Sequence, residues 1–591
     1  MGTISDKLMR VINTKEDIRQ ALISKGYNVP TSMPFKEYAK MILDLPCKVD
    51  SFPDIEGIVA RYSASGLTNE QMAANPVWKN LTGNGHDLQM KNFSWGGMSG
   101  VGGYVDNWNS SADWSINNYW VNSHTDHKLQ LITASTVVQM KSNNIYNAEN
   151  VYKNILNVNG LTEAVNKGSV GGLRISATDP ITSKAIKTFS FDTDGVIQIS
   201  FDDVLQDYCV VYFVYGNNTN DIDITIEQLP LYPGALVFDG VDDYGVCDNF
   251  PILTKEKGYT VVALRQWITR GEIAQGLVSN VKNWLKDGAF LLEYRNIQAE
   301  HLNKPISFGA IGSEMDLPHI LTYQTSKSYN GVSITTGNFE GTDVLHVGKL
   351  APTNVGTCIN AAIWELVFLD HDATEEELTN IKDYFVKTYP WLFPDQAWTV
   401  VGKTNEDEDR ATIANITGNG NDLVLSNFGF AEGSGYNEEG EYAGYLVTDG
   451  VDDKIVSSSF GMGKDFTIVG DWKFIDNKKS GTGLVKGSSF YIYNTMIGLD
   501  LYINSGSVTN SLDGIKSINA ACSDGRAYDR NWNEILANTG NVVGSGGMLE
   551  VSSSGGRFDR IAFKNLAIYP RILSKDDCIK AYNYLQTLKS K

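Results

Sequence analysis

From about residue 51 onward, short apolar runs are broken every few positions by Gly, Asn, Asp and Ser. That pattern predicts β-strands joined by tight turns, because strand side chains alternate faces and these residues tolerate turn backbones. Ala235-Leu-Val-Phe238, Tyr259-Thr-Val-Val-Ala-Leu264, Phe466-Thr-Ile-Val-Gly-Asp-Trp472, Ser489-Phe-Tyr-Ile-Tyr493 and Leu501-Tyr-Ile-Asn504 read as strands of this kind. Helical spacing marks the stretches Thr374 to Phe385 and Ser574 to Leu585. Each opens on a hydroxyl N-cap, with an acidic residue three positions later, Glu377 or Asp577.

The chain also repeats itself. Asn80-Leu-Thr-Gly-Asn-Gly-His-Asp-Leu-Gln-Met-Lys-Asn-Phe93 returns 335 positions later as Asn415-Ile-Thr-Gly-Asn-Gly-Asn-Asp-Leu-Val-Leu-Ser-Asn-Phe428. Gly234-Ala-Leu-Val-Phe-Asp-Gly-Val-Asp-Asp243 returns 210 positions later as Gly444-Tyr-Leu-Val-Thr-Asp-Gly-Val-Asp-Asp453. Ile363-Trp-Glu-Leu-Val-Phe-Leu369 matches Phe563-Lys-Asn-Leu-Ala-Ile-Tyr569, and a helical stretch follows each. Blocks recurring in one order predict two copies of one fold. The shrinking offset means that the first copy carries about 125 extra residues between its first and second blocks. Insertions of that size are tolerated at exposed loops whose ends lie close together.

The predicted class is mainly β: two antiparallel β-sandwiches of the concanavalin A-like kind, the first interrupted by a small β-domain, plus a short N-terminal helical segment. Residues 51–128 and 231–388 form the first sandwich, 129–230 the inserted β-rich domain, 389–408 a linker and 409–591 the second sandwich. Residues 1–50 differ in kind. Thr14-Lys-Glu-Asp17 forms a capping box before an apolar helix stopping at Gly26, and another helix starts at Pro34. So small a unit buries little surface alone, which predicts a docking or oligomerising segment.

Composition narrows the function classes. Of 591 residues, 49 are basic and 69 acidic, a net charge of −20 that leaves no basic surplus for phosphates or an anionic bilayer. No apolar run reaches the roughly 18 residues of a spanning helix, and the first residues lack a signal-peptide pattern. Nucleic-acid binding and membrane insertion are therefore not expected. The 6 cysteines are widely scattered without a CxxC pair and read as reduced and partly buried.

Several groups offer chemistry. The loops Asp239, Asp242, Asp243 and Asp449, Asp452, Asp453 gather carboxylates beside glycine; the cation they would take is Ca2+, which prefers oxygen ligands. The same aspartates can instead fix a turn through their own backbone. Asn84, His86, Asp87 and Trp95, with Asn419, Asn421, Asp422 and Phe430 in the second copy, combine amides, carboxylates and aromatics as a sugar site does. A tight turn repeated with the fold explains the Gly-Asn-Gly tract equally. His124-Thr-Asp-His127 offers two imidazoles and a carboxylate without a closing ligand set, and reads as an exposed turn. Asp221, Asp223 and Glu227 share one strand face; Asp221 and Asp223 are near enough to pair, Glu227 is too remote to join them, and a solvent-facing strand explains the pattern adequately. The chain contains no GxSxG, Walker A, HExxH or dinucleotide fingerprint, and catalysis is not expected.

At Val237-Phe-Asp-Gly-Val-Asp-Asp-Tyr244 and Leu446-Val-Thr-Asp-Gly-Val-Asp-Asp453, and again at the closing strands and helices, the chain resembles the concanavalin A-like, laminin G-type lectin superfamily. The amino-terminal run from Thr3-Ile-Ser-Asp-Lys-Leu8 to Phe35-Lys-Glu-Tyr-Ala-Lys-Met-Ile42, with the lectin-like blocks, resembles fibre and appendage proteins of tailed phages of Bacteroides-type gut bacteria, the crAss-like group included. This resemblance implies a virion component made and assembled in the host cytoplasm. It also implies a homo-oligomer, trimer or dimer, mounted through residues 1–50 on other head, collar or tail proteins, with the sandwiches contacting bacterial surface polysaccharide. The alternatives are a purely architectural virion protein, a capsular polysaccharide depolymerase and a bacterial surface lectin.

Overall fold

The computed structural model describes residues 52–116, 123–131, 137–147, 152–201, 204–216 and 222–254, shorter stretches between 257 and 349, most of 358–588, and the single positions Lys15, Arg19 and Pro34. Apart from Lys15 and Arg19, which are helical, the helices expected within residues 1–50 lie outside the described residues. The chain divides into two compact units. One is residues 1–54 with Thr379–Thr388, where Phe52 meets Tyr384 edge-on at 4.9 Å. The other, Ile55–Leu378 with Tyr389–Lys591, is built from three antiparallel β-bodies, and the fold is mainly β.

In the first body a six-stranded sheet faces a seven-stranded one. Tyr62, Leu236, Phe238 and Ile363 from one sheet join Trp78, Leu88, Met90 and Leu345 from the other in a single core. The central strand Asn360–Leu369 is buried almost throughout, between Ile58–Ser63, Leu236–Asp239 and Thr260–Thr269. Its near-continuous apolar run fits a strand covered on both faces. The second body repeats this plan with two eight-stranded sheets around Ile561–Tyr569. Leu88–Lys91 and Leu423–Ser426 both alternate buried and exposed, so the repeated sequence blocks hold the same register in each copy. The caps form as the sequence predicts: Thr374 Oγ1 accepts from the Glu377 N–H at 3.2 Å, and Ser574 Oγ from the Asp577 N–H at 3.1 Å.

Two boundaries differ from the sequence expectation. Gln396–Thr399, read as linker, pairs with Ile561–Tyr569 as Ile58–Ser63 pairs with Asn360–Leu369. The second sandwich therefore begins at this strand, anchored by the fully buried Trp398. The inserted module likewise starts before position 129. Trp114–Ile116 and Ser123–His124 pair within its two five-stranded sheets, and Trp108 and Trp114 sit in its core with Leu156, Ile175 and Tyr212. Its ends are stitched together: Gly102 N–H donates to Ala235 O, and the Leu231 and Tyr232 N–H groups donate to Gly103 O and Gly102 O, all at 2.8 Å. That closure lets the host sheet run on with little disturbance.

Candidate functional site

The loops that carry the repeated Gly-Asn-Gly tracts spend most of their polar groups on their own turns. Asn80 Oδ1 accepts from the Arg61 N–H at 2.9 Å, and its Nδ2 donates to Gly85 O at 2.6 Å. Asp87 Oδ1 accepts from the Asn80 N–H at 2.9 Å and its Oδ2 from Lys79 Nζ at 2.6 Å. In the second copy Asn415 accepts from the Ala397 N–H and donates to Gly420 O, while Asp422 Oδ1 accepts from the Asn415 N–H at 2.8 Å. His86 and Asn421 hold left-handed backbones with φ of 62° and 65°, and Trp95 and Phe430 with φ of 52° and 48°. Trp95 stacks on Phe93 at 4.7 Å, and Phe430 lies 5.9 Å from Phe428 with the Arg410 guanidinium over its ring. Asn84 is exposed, and Asn419 Nδ2 donates to Asp395 O at 2.7 Å.

The aspartate loops are equally self-contained. Asp239 Oδ1 accepts from the Val241 N–H at 2.8 Å and Asp449 Oδ1 from the Val451 N–H at 2.7 Å. Asp243 and Asp453, both fully buried, reach back to the N–H groups of Asp239 and Asp449 at 3.1 and 2.7 Å. Burial pushes the Asp243 carboxyl up to about 7 and that of Asp453 up to about 6. The carboxylates of each trio lie within 4.8 Å of one another, with Asp242 and Asp452 exposed. A calcium ion at either loop would compete with these N–H groups for the same oxygens.

A concave site lies elsewhere, where the inserted module meets the second sandwich. Its cleft of about 510 Å³ is walled by strands Lys153–Asn159 and Gly195–Ser200, by Leu229, Pro230 and Pro233, by the hairpin tip Asn531, Trp532 and Asn533, and by the helix Lys575–Gln586. The tip forms because Asp529 Oδ1 accepts from both the Asn531 and Asn533 N–H groups at 2.8 Å, closing an Asx turn between Arg526–Asp529 and Glu534–Leu536. Trp532 sits there at φ 60°, a backbone conformation that costs a non-glycine residue about 1–3 kcal/mol and persists only where packing enforces it. The packing is evident: Trp532 is 2% exposed, edge-on to Tyr582 at 5.6 Å and 6.1 Å from Tyr528.

Around that wedge the lining is rich in amides. Asn157 and Asn159 alternate onto one face of their strand, and Asn531, Asn533 and Asn583 face them across the cleft. Asn583 is 2% exposed; its Nδ2 reaches Pro230 O at 3.5 Å, and its Oδ1 has no hydrogen-bond partner. A buried amide carbonyl without a donor is costly, and this one lies within the wall of the cleft. Leu229, Pro230, Pro233 and Ile579 add an apolar strip, while Asp194, Lys575 and Asp576 stand exposed at the rim. A sugar ring presents the complementary surface: C–H faces and a hydroxyl edge needing donors and acceptors. None of these lining residues was singled out from the sequence. The available signals were the Asp529-Arg-Asn-Trp-Asn533 turn with a Trp at its tip and the Asn157-Val-Asn159 alternation.

No family model matches the chain, and no curated protein is similar to it. Among solved structures, Trypanosoma rangeli sialidase in complex with sialic acid is 9% identical over 78% of this chain and 83% of that one, with a TM-score of 0.23. A mutant of the same sialidase displaying trans-sialidase activity is 10% identical over 82% and 86%, with a TM-score of 0.26. The botulinum neurotoxin serotype D binding domain is 10% identical over 59% and 89%, with a TM-score of 0.22. The functional reading rests on this chain's own residues.

Proposed function

We propose that this chain is a virion fibre or appendage protein, mounted through residues 1–50 as a homo-oligomer, and that it binds bacterial surface polysaccharide without cleaving it. The cleft between the inserted module and the second sandwich is the binding site. The observation that carries this reading is the cleft's lining, in which the amides of Asn157, Asn159, Asn531 and Asn533 stand beside an apolar strip. Weak individual sites suffice in an oligomer, because repeated subunits raise the effective concentration of sites at a polymer surface. The resemblance of the amino-terminal run and the lectin-like blocks supplies the virion part of the reading.

The architectural alternative draws on a specific observation too: the repeated amide and aspartate loops spend most of their hydrogen bonds within their own turns. Host capsular polysaccharide immobilised on a sensor surface separates the two. Binding by the full chain that drops at least tenfold in the double variant N157A/N159A supports the cleft. Failure of the folded protein to bind any surface polysaccharide of the host, with capsule-free cells as control, favours architecture. Release of oligosaccharides on incubation would mean a depolymerase instead.

A further inference from the structure

We propose that a second cavity along the same seam binds an acidic sugar residue, so that the polysaccharide taken is an anionic one whose carboxylate pairs with Arg530. This inference rests on the cleft being the polysaccharide site and adds the chemical class of the ligand. The second cavity, of about 260 Å³, is walled by Phe189, Phe191 and Gln198 of the inserted module and by Arg530 and Tyr582 of the second sandwich. It shares Val196, Asn531 and Trp532 with the first cleft. The hairpin tip touches the insert beside both: a Cβ added at Gly195 would meet Asn531 O at 3.2 Å. Sugar residues of one polymer laid along the seam can therefore occupy both cavities.

The two cavities differ in charge. Asp194 and Asp576 stand at the rim of the first, whereas no Asp or Glu lines the second. Arg530 is exposed, its carbonyl accepts from Asn519 Nδ2 at 3.3 Å, and among the described residues no ion pair engages its guanidinium. The neighbouring Asp529 spends both carboxylate oxygens on Asn531 and Asn533. Asp471 is equally engaged: Tyr445 Oη lies 3.0 Å from each of its oxygens, and Lys564 Nζ lies 3.9 Å away. The Arg530 charge also reaches the cavity wall. Burial and the Asp471 charge hold the Tyr582 phenol well above its ordinary pKa, and Arg530 counters that rise.

A guanidinium left unpaired in a cavity wall is a fork for a carboxylate: planar, always charged, and able to make two parallel hydrogen bonds. The rest of the wall suits a sugar that carries one. Phe189 and Phe191 lie within 15° of parallel, centroids 6.5 Å apart, and offer an apolar surface to ring C–H groups. Lys187 Nζ stands 4.9 Å over the Phe189 ring and adds positive charge at the aromatic end. Gln198 Oε1 is taken by Tyr582, so this amide keeps its Nε2 to donate to a hydroxyl. The net charge of −20 repels an anionic polymer at long range, so only cations placed at the site can hold it.

The test uses the full-length protein and the host capsular polysaccharide, immobilised either native or with its carboxyl groups reduced to primary alcohols. The parent should bind the native polymer, and carboxyl reduction or R530Q should each weaken binding about 10–100-fold, the worth of a hydrogen-bonded charge. R530Q should bind the reduced polymer as the parent does, because the pairing it removes is already gone. R530K should recover part of the loss, since lysine supplies the charge without the fork. N157A/N159A, in the first cleft, should weaken both polymers alike. R530Q alters an exposed side chain, and an unchanged circular dichroism spectrum verifies its fold. Equal binding of native and reduced polymer, lost in N157A/N159A, overturns the acidic-sugar proposal and leaves the cleft reading standing. So does a bound polysaccharide whose composition includes no acidic sugar. Failure of the parent to bind either form overturns both.

Discussion

Tyr582 donates its phenolic hydrogen to Gln198 Oε1 at 3.0 Å, joining the closing helix of the second sandwich to the inserted module across 384 positions of sequence. The contact sits beside Trp532 and Asn531, so the insert is both a guest in the first sandwich and a neighbour of the second. That double attachment creates the cleft.

Removing this hydroxyl should loosen the seam without unfolding either body. Y582F loses one hydrogen bond, worth about 0.5–1.5 kcal/mol, and keeps the ring against Trp532. Hydrogen exchange in Gly195–Ser200 should quicken severalfold while Thr260–Thr269 stays as protected as before. Unchanged exchange in Gly195–Ser200 would show that the bond contributes nothing to the seam.

The core of the insert should weaken as pH rises. Asp106 is buried; Tyr152 Oη donates to its carboxylate at 2.6 Å and Asn154 Nδ2 at 3.0 Å. Burial pushes its pKa up from 3.8 to about 7, so the folded state keeps a proton that the unfolded chain releases near pH 4. The stability tied to that proton is present at low pH and drains away as pH climbs from about 4 towards 7 and beyond. Asp243 and Asp453 act in the same direction in the two sandwiches. In D106N, urea midpoints of the insert at pH 5 and pH 8 should lie closer together than in the parent. An undiminished gap would refute the assignment to Asp106.

Arg61 matters because of what it leaves behind. Its guanidinium lies 3.3 Å from the fully buried Glu365, which also accepts from Tyr389 Oη at 2.9 Å. Burial holds the Glu365 pKa above its usual value even with Arg61 beside it. R61A strands a buried carboxylate and should cost about 3–5 kcal/mol at pH 8, whereas E365Q removes that charge and should cost less. Acidification should relieve R61A, since protonating Glu365 removes the unpaired charge. Chemical denaturation of both variants at pH 5 and pH 8 checks the order.

The repeated turns should prove interchangeable in energy. Asn80 and Asn415 each tie their loop to the opening strand of their own sandwich. N80A and N415A should each cost about 1–3 kcal/mol, by leaving buried donors and acceptors without partners. A loss confined to one variant would mean that the copies have diverged in how they hold the loop.

Local chemistry made much of the fold legible. Strand alternation, the Asp-Gly turns and the helix caps are written within a few residues, which is why the duplicated sandwich and the interruption of its first copy could be read from the chain. Trp398 shows where that reading stopped: beside Pro394 it resembled a linker, and only its pairing with Leu566 makes it the first strand of a core. The polar tracts that looked like ligand sites carry the same residues a turn needs, and sequence cannot say which use claims the hydrogen bonds.

By itself, then, the sequence determined two related β-bodies, a guest module and an acidic surface, because periodicity, turn residues and charge are local properties. Tertiary structure alone decided which surfaces meet. Asn157, Trp532 and Asn583 share one cleft, and Glu70, Asp126 and His127 one cluster, only because separate elements pack against each other. Such packing is settled by the burial and fit of whole faces, which no short stretch of chain records.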